Sequence, residues 1–561
     1  MRHADLVLLN GTIWTASPVR HRISALAVTG GRITALGTDR EVREHIGPRT
    51  EVTDLGGRFV QPGFTDAHVH PVIAGIGMLG CDLSTGRTAR DYRATIAAYA
   101  AAHPGAAWIK GSGWSFDAFP GGLPHRDQLD DILPDRPAYF PVRDGHSAWA
   151  NSRALALAGV DRHTPDPADG RIERDATGEP TGILHEGAMT IVGALVPPAS
   201  AAEARAGLLA AQELLHSLGI TGWQDALVGT YAGFPDPLDT YLACDADGSL
   251  TARVRGALWW ERDQDLGQID SLLARREKAA GGRRFTAGSV KIMQDGVVEN
   301  FSAAMLEPYL DSCGCPGDNA GISMVDPAVL RDAVIALDGH GFQIHFHALG
   351  DRAVREALNS LEAAVAAHGH TGLRHHLAHL QVVHPDDIPR FRILRAAANM
   401  QPLWAAHEPA MDELTLPFLG EERGRRQYPF GALHAAGAVL AAGSDWFVSS
   451  PDPWHGIHVA VNRQVWAEEL GEPDLRPPFL PEQRLALSDA LAAYTAGSAW
   501  VNHQDDAGVI AVGRLADLAV LDRDPFAIAT TDLHAVRTVE TYVGGVRVYS
   551  ADGRTAAPGA H

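Results

Sequence analysis

The sequence predicts an α/β chain whose centre is a (β/α)8 TIM-type barrel, and three observations carry that prediction. The first is length: 561 residues hold a barrel of about 250 residues or more with parts appended to it. The second is alternation. Alanine- and leucine-rich helical runs at 201–219, 326–341 and 350–369 lie beside short apolar strands, GITGWQDA, GFQIHFHALG and GAVLAAGSDW. Strand–helix alternation of this kind argues for a parallel sheet with crossover helices. The third is that both ends of the chain are β-rich. A doubly wound sheet would show the same alternation, but no glycine-rich phosphate loop follows an early strand. The 58 glycines and 34 prolines supply the turns that repeated strand–loop–helix units need.

Residues 5–58 read as short strands with NG and GG at the breaks, as in DLVLLNGTIW and ALAVTGGRITALG, which suits hairpins. ADLAVLDRD and TVETYVGGVRVYS repeat that style near the C-terminus. A small β-sandwich domain formed by both chain termini, residues 1–58 plus 505–561, is therefore expected, with the barrel over 59–504. The stretch from about 80 to 200 is irregular and rich in Pro, Gly, Trp and Asp. It reads as an insertion after the first barrel strand.

A net charge of −21 opposes nucleic acid or an anionic membrane surface as a partner and leaves a small-molecule substrate as the expected one. Oligomeric state is not legible, and a homo-oligomer is compatible with everything above. Four cysteines are too few for a disulfide scaffold. Cys313-Gly-Cys315 has no second Cys/His pair near it at zinc-finger spacing, so incidental thiols in a glycine-rich loop are favoured over a metal site. MRHADLVLLNGTIW has no apolar targeting core, and no run of 18 or more apolar residues occurs. A cytoplasmic location is expected.

The chemistry concentrates at strand ends. In FVQPGFTDAHVHP, Phe59 and Val60 enter, Pro62-Gly63 breaks, and His68 and His70 follow at i and i+2. Residues two apart on a strand share a face, so two imidazoles stand side by side, as a shared metal needs. Asp66 lies on the same face. In IHFHALGDRAV, His347 is nearer the C-terminal strand end, where barrel active sites lie, and His345 is expected one layer deeper as a packed core histidine. Asp351 reads as a helix N-terminal carboxylate. LRHHLAHLQVVHP holds His375, His376, His379 and His384, and spacing does not choose among them. Asp445 ends an apolar strand in GSDW, where a ligand, a general base and an N-cap are all open. Together these are N and O donors of the kind that hold Zn2+ or a similar divalent ion, one or two of them.

SVKIMQDG poses a separate question. Lys291 lies between Val290 and Ile292 in a buried-strand pattern, and lysine is rarely buried without a partner. A salt bridge to Asp295 or Asp445 is one answer. Burial also lowers a lysine's pKa and frees the neutral amine to react.

PGFTDAHVH, the Val290-Lys291 strand end, HALGDRA, AHLQVVHPDDIPRF, GSDW and GRLADLAVLDRDP, in that order, resemble the metal-dependent amidohydrolase superfamily. The nearest likeness is to the amidohydrolase family 3 branch that includes N-substituted formamide deformylases, over about residues 5 to 550. The resemblance implies a barrel plus a sandwich made from both chain ends. It implies metal ligation by His68, His70, His347, His379 and Asp445, with Asp445 taking the proton of the attacking water. It also implies that Lys291 matches a lysine carboxylated by CO2, whose carbamate bridges two metals. Two positions depart from the branch: Ala378 stands where Glu is usual, and Phe447 where Pro is usual. GSGWSFDAFPGG and RDGHSAWANSRAL resemble substrate-side segments, which points to Trp114 and His146. Turn chemistry and packing are the plainer account of both. Gln401, Trp404 and Trp446 are further pocket candidates. The expected reaction is hydrolysis of a C–N bond in an amide, an N-substituted formamide or a related N-acyl compound. An ester, lactone or carbamate hydrolase, or a non-catalytic binding protein on the same scaffold, are the alternatives.

Overall fold

The computed structural model describes residues 3–16, 23–119, 123–231, 234–470 and 476–553. Residues 120–122 of GSGWSFDAFPGG and 554–561 of the expected C-terminal domain lie outside the described residues. Eight parallel strands form one sheet in sequential order: β1 (Phe64–Val69), β2 (Ile220–Val228), β3 (Arg253–Trp259), β4 (Phe285–Met293), β5 (Gln343–Ala348), β6 (His376–His379), β7 (Ala397–Met400) and β8 (Val439–Ala442). The sheet closes on itself where Asp445 N donates to His68 O at 2.8 Å and His70 N donates to Trp446 O at 2.8 Å. Gly443 makes that closure possible, because a Cβ there would stand 2.5 Å from His68 N.

Helices return the chain along the outside. Ala201–Ser217 opens with a capping box in which Ser200 Oγ accepts from Glu203 N at 3.2 Å and Glu203 Oε2 accepts from Ser200 N at 2.7 Å. Pro327–Gly339 begins after Asp326, whose Oδ1 accepts from Ala328 N at 2.9 Å. Asp351–His368 shows a strong apolar stripe, with Val354, Ala357, Leu358, Leu361 and Ala364 buried against the barrel. No helix among the described residues is long and apolar enough to cross a membrane.

Two terminal sheets pack face to face. One holds Arg32–Gly37, Ala25–Thr29, Leu6–Leu9 and Glu51–Asp54 in that order. The other mixes the chain ends: Thr12–Ile13, Phe59–Pro62, Leu518–Leu521, Thr538–Val543 and Val546–Ser550. Leu8, Leu26, Val28, Val60, Leu518, Val520 and Tyr542 fill the space between them. Phe59–Pro62 therefore belongs to the sandwich, paired with Leu518–Leu521, and does not lead into the barrel as one strand. Pro62 and Gly63 mark the change of sheet.

Between β1 and β2 lies a six-stranded sheet in the order Gly170–Arg174, Pro180–Glu186, Ser147–Ala150, Ala138–Pro141, Ile109–Ser112, Cys81–Asp82. Its core is aromatic. Trp114 is wholly buried against Phe116, Phe119 and Trp149. Its indole Nε1 donates to Phe140 O at 2.7 Å.

Candidate metal centre

The C-terminal ends of β1, β4, β5, β6 and β8 converge on a cavity of about 60 Å³. Its walls include His68, His70, Lys291, His347, His379 and Asp445 from the barrel, with Asp144 and His146 from the insertion above. Alternation along β1 turns Asp66, His68 and His70 to one side, and the turn after β8 brings Asp445 against them.

Asp445 is the hub. Its Oδ1 lies 3.0 Å from His70 Nε2 and 3.4 Å from His68 Nε2. Its Oδ2 lies 3.8 Å from His379 Nδ1, beyond hydrogen-bond reach. One donor atom each from His68, His70 and Asp445 falls within 4.8 Å of the others. Burial would raise the Asp445 carboxyl, but the hydrogen bond from His70 and the neighbouring His70, His379 and Lys291 outweigh it and hold the group below the ordinary carboxylate range. The histidines are pushed the other way. Burial takes His68 and His347 well below the usual imidazole range, and His379 to about 3 against the pull of Asp445. Neutral imidazoles at His68, His347 and His379 near an ionised Asp445 are the donor state a divalent ion requires.

A direct test of that fit is the polar atoms left over. Both ring nitrogens of His379 and Nδ1 of His70 are buried with no hydrogen-bond partner among the described residues. An unsatisfied buried polar atom costs about 1–3 kcal/mol, and an ion beside His379 would satisfy one of its two ring nitrogens. His347 Nε2 faces Gly296 O at 3.4 Å, and its ring lies 4.4 Å from that of His379.

Lys291 is buried, and its Nζ meets His68 Nε2 at 3.2 Å rather than a carboxylate. Burial takes its pKa down to about 7, against the upward pull of Asp445. The salt bridge to Asp295 weighed from sequence is not made. Asp295 instead accepts from Ala304, Leu349 and Gly350 N at 2.8–3.0 Å, and burial raises its carboxyl to about 8.

The insertion contributes His146. Its Nδ1 sits 3.0 and 3.1 Å from the two oxygens of Glu186, which also accepts from Ser302 Oγ at 2.7 Å and Asn300 Nδ2 at 3.1 Å. Burial opposes the charge on His146, but Glu186 holds its pKa up to about 9. With Nδ1 engaged, Nε2 is the ring nitrogen left to meet a ligand. The His146 ring lies 5.1 Å from that of His347.

Other candidates fall elsewhere. Trp114 is no part of the cavity wall, because the insertion core encloses it. Gln401 supports His379 from behind, its Oε1 accepting from His379 N at 2.8 Å. Trp404 stacks on the His379 ring, with centroids 5.4 Å apart at 14°, and lines a neighbouring cavity of about 240 Å³. Trp446 is buried and contributes its carbonyl to barrel closure, whereas its neighbour Phe447 lines the site. His345 is buried beneath His68 and bonded to it at 2.9 Å. Asp66 supports the β8 turn, accepting from Ser444 Oγ at 2.6 Å. Ala378 is fully buried and offers the cavity no carboxylate. Asp351 begins its helix and accepts from Leu306 N at 2.8 Å. Cys313, Cys315 and Asp311 cluster on an exposed turn, their donor atoms within 4.8 Å.

Glu186, Gln224 and Gln343 were not singled out from sequence. Glu186 carries the same signal as Asp445, a carboxylate ending an apolar strand in GILHEG. The two glutamines carry none, since a buried amide looks like any strand polar residue until its neighbours are known.

A (β/α)8 barrel with neutral histidines and an ionised aspartate at its C-terminal rim defines a metal-dependent hydrolase. The amidohydrolase family model matches residues 51–549, and the chain belongs to that family, in its family 3 branch. The chain is 32% identical to Protein LONG AFTER FAR-RED 3 of Arabidopsis thaliana, over 97% of this chain and 92% of that protein. It is 28% identical to the N-substituted formamide deformylase of Arthrobacter pascens, over 98% and 99%. Among solved structures, a metal-dependent hydrolase from Pyrococcus horikoshii is similar at 26% identity with a TM-score of 0.71, covering 94% of this chain and 99% of that one.

Proposed function

We propose that this protein hydrolyses the C–N bond of an amide, N-substituted formamide or related N-acyl compound, with Asp445 as the general base. The observation that carries the reading is an ionised carboxylate, Asp445, set among buried histidines, of which His379 keeps both ring nitrogens and His70 its Nδ1 without a hydrogen-bond partner. His68, His70, His347, His379 and Asp445 would hold the divalent metal, and zinc suits their N and O donors. When bound, the ion supplies Lewis acidity, which polarises a carbonyl and lowers the pKa of water to about 7.

The chain's own residues do the rest. Asp445 takes the proton of the attacking water and delivers it to the leaving nitrogen. His146, fixed through Nδ1 by Glu186, turns its other nitrogen to the substrate. Leu227, Phe234, Trp259, Met293 and Phe447 form an apolar wall that suits an apolar or aromatic N-substituent and excludes water. Lys291, with its depressed pKa, is the amine we expect to take up CO2. The carbamate would exchange a buried cation for an anion with two oxygens, which suits a site rich in uncharged nitrogen donors. The deformylase relative supports a C–N bond as the target.

Asp445→Asn should lower turnover of an N-acyl amine by about 10²–10⁴-fold. A chelator should abolish turnover, and divalent metal should restore it. Undiminished turnover in either case defeats the proposal. Faster cleavage of the matching ester or lactone than of the amide moves the assignment away from C–N hydrolysis.

A further inference from the structure

We propose that Gln343, Gln224 and His345 form a directional hydrogen-bond relay that places the proton of His68 on Nδ1 and presents its bare Nε2 to the metal centre. Gln224 and His345 are then positioning residues for the metal. The inference rests on the metal-centre reading above, and it deepens that reading by assigning residues from β2 and β5 that touch no ligand.

The relay starts at Gln343, the first residue of β5. Its Nε2 donates to two main-chain carbonyls, Arg374 O at 2.8 Å and Val501 O at 2.7 Å. A carbonyl only accepts, so the orientation of this amide is fixed and Oε1 is its acceptor end. Ser289 Oγ and Arg255 Nε donate to that oxygen at 2.5 and 3.2 Å. Gln224 Nε2 donates to it too, at 3.3 Å, and to Asn502 Oδ1 at 3.0 Å. Turning Gln224 over would set two carbonyl oxygens against each other, so its Oε1 points the opposite way, toward His345.

Gln224 Oε1 lies 2.5 Å from His345 Nδ1. An amide oxygen can only accept, so His345 Nδ1 carries the hydrogen. In a neutral imidazole the other nitrogen is then an acceptor. That nitrogen, His345 Nε2, lies 2.9 Å from His68 Nδ1, which must donate. The His68 lone pair is therefore on Nε2, the atom 3.2 Å from Lys291 Nζ and 3.4 Å from Asp445 Oδ1. With the proton on the other nitrogen, His68 would aim an N–H into the site and could not bind a cation.

The surroundings keep this arrangement. Gln224, Gln343 and His345 are fully buried and His68 nearly so, which leaves no room for solvent to exchange partners. An additional proton on His345 would place a cation near Lys291 and against the His376 ring, whose centroid is 4.1 Å away.

The test is metal affinity, measured by chelator competition with zinc on the full chain, with thermal unfolding of the metal-free protein as the folding control. Gln224→Leu and His345→Phe each remove one link and should weaken zinc binding on the order of 10–100-fold. His376→Phe alters a ring in the same layer that is outside the relay and should change affinity little. The relay is overturned if both link variants bind zinc like the wild type, or if His376→Phe loses as much as they do. If the link variants do not fold, the zinc-loaded wild type decides by crystallography: zinc on Nε2 of His68 supports the relay, and zinc on Nδ1 overturns it. A wild type that takes up no zinc or other divalent ion overturns the metal-centre reading itself, a result distinct from intact binding in the variants.

Discussion

Lys291 shows how a single residue takes its meaning from what surrounds it. A buried ammonium beside a metal site is costly twice, through lost solvation and through repulsion of the ion. The protein places it with its nitrogen against an imidazole, and burial brings its pKa down to about 7, so a reactive neutral amine is abundant at neutral pH. Lys291→Ala should weaken metal binding by at least about tenfold, with partial recovery in bicarbonate plus a short carboxylic acid. Full metal content and activity in the alanine variant, read by elemental analysis and a rate assay, would reduce Lys291 to scaffold. Trp114 shows the converse. Its sequence context resembles a substrate segment, yet its ring fills the insertion core. Trp114→Ala should cost about 3–5 kcal/mol of stability with little change in KM of the folded enzyme. A raised KM with unchanged unfolding would return Trp114 to the substrate site.

Among the elements, the helix Ala201–Ser217 ties the barrel to its surroundings through its last turn. His216 Nδ1 meets Ile220 O at 2.9 Å, its Nε2 meets Thr251 Oγ1 at 2.8 Å, and its own carbonyl accepts from Thr541 Oγ1 at 2.6 Å. Burial lowers its pKa from 6.5 to about 4. Between those values the unfolded chain binds a proton that the folded chain does not, so stability is full above the unfolded value and falls as pH drops toward about 4. Resistance of the wild type to urea unfolding should weaken from about pH 7 to about pH 5, and His216→Gln should flatten its share of that slope. An unchanged slope in the variant would mean that His216 is not the titrating group. The strand ends were well marked in sequence, because period-two alternation brings His68 and His70 to one face. The insertion was legible as irregular composition, but not its six-stranded order, which depends on pairings between strands distant in the chain.

At the scale of the whole molecule, the sandwich is joined to the barrel by a bidentate ion pair. Arg253 on β3 donates through Nε and Nη2 to Asp517 at 2.6 and 3.1 Å, and Asp517 is buried. Arg253→Met removes the counter-ion of that carboxylate, leaving it the hydrogen bond from Gly544 N, and should cost about 3 kcal/mol, the lower end for a buried pair because the arginine is partly exposed. Adding Asp517→Asn should recover part of it. Additive losses in chemical unfolding would show that the two residues do not act together.

The sequence by itself determined the barrel, the sandwich built from both ends, and the family, because these follow from periodicity and local motifs that each segment carries alone. Only the tertiary structure separated Phe59–Pro62 from β1, moved Trp114 into a core, set Gln401 behind His379, and brought Glu186 to His146. The physical reason is distance along the chain. A side chain's pKa, hydrogen-bond direction and burial are set by neighbours tens to hundreds of residues away. For His68, the last of these is a glutamine 275 positions on, acting through two others.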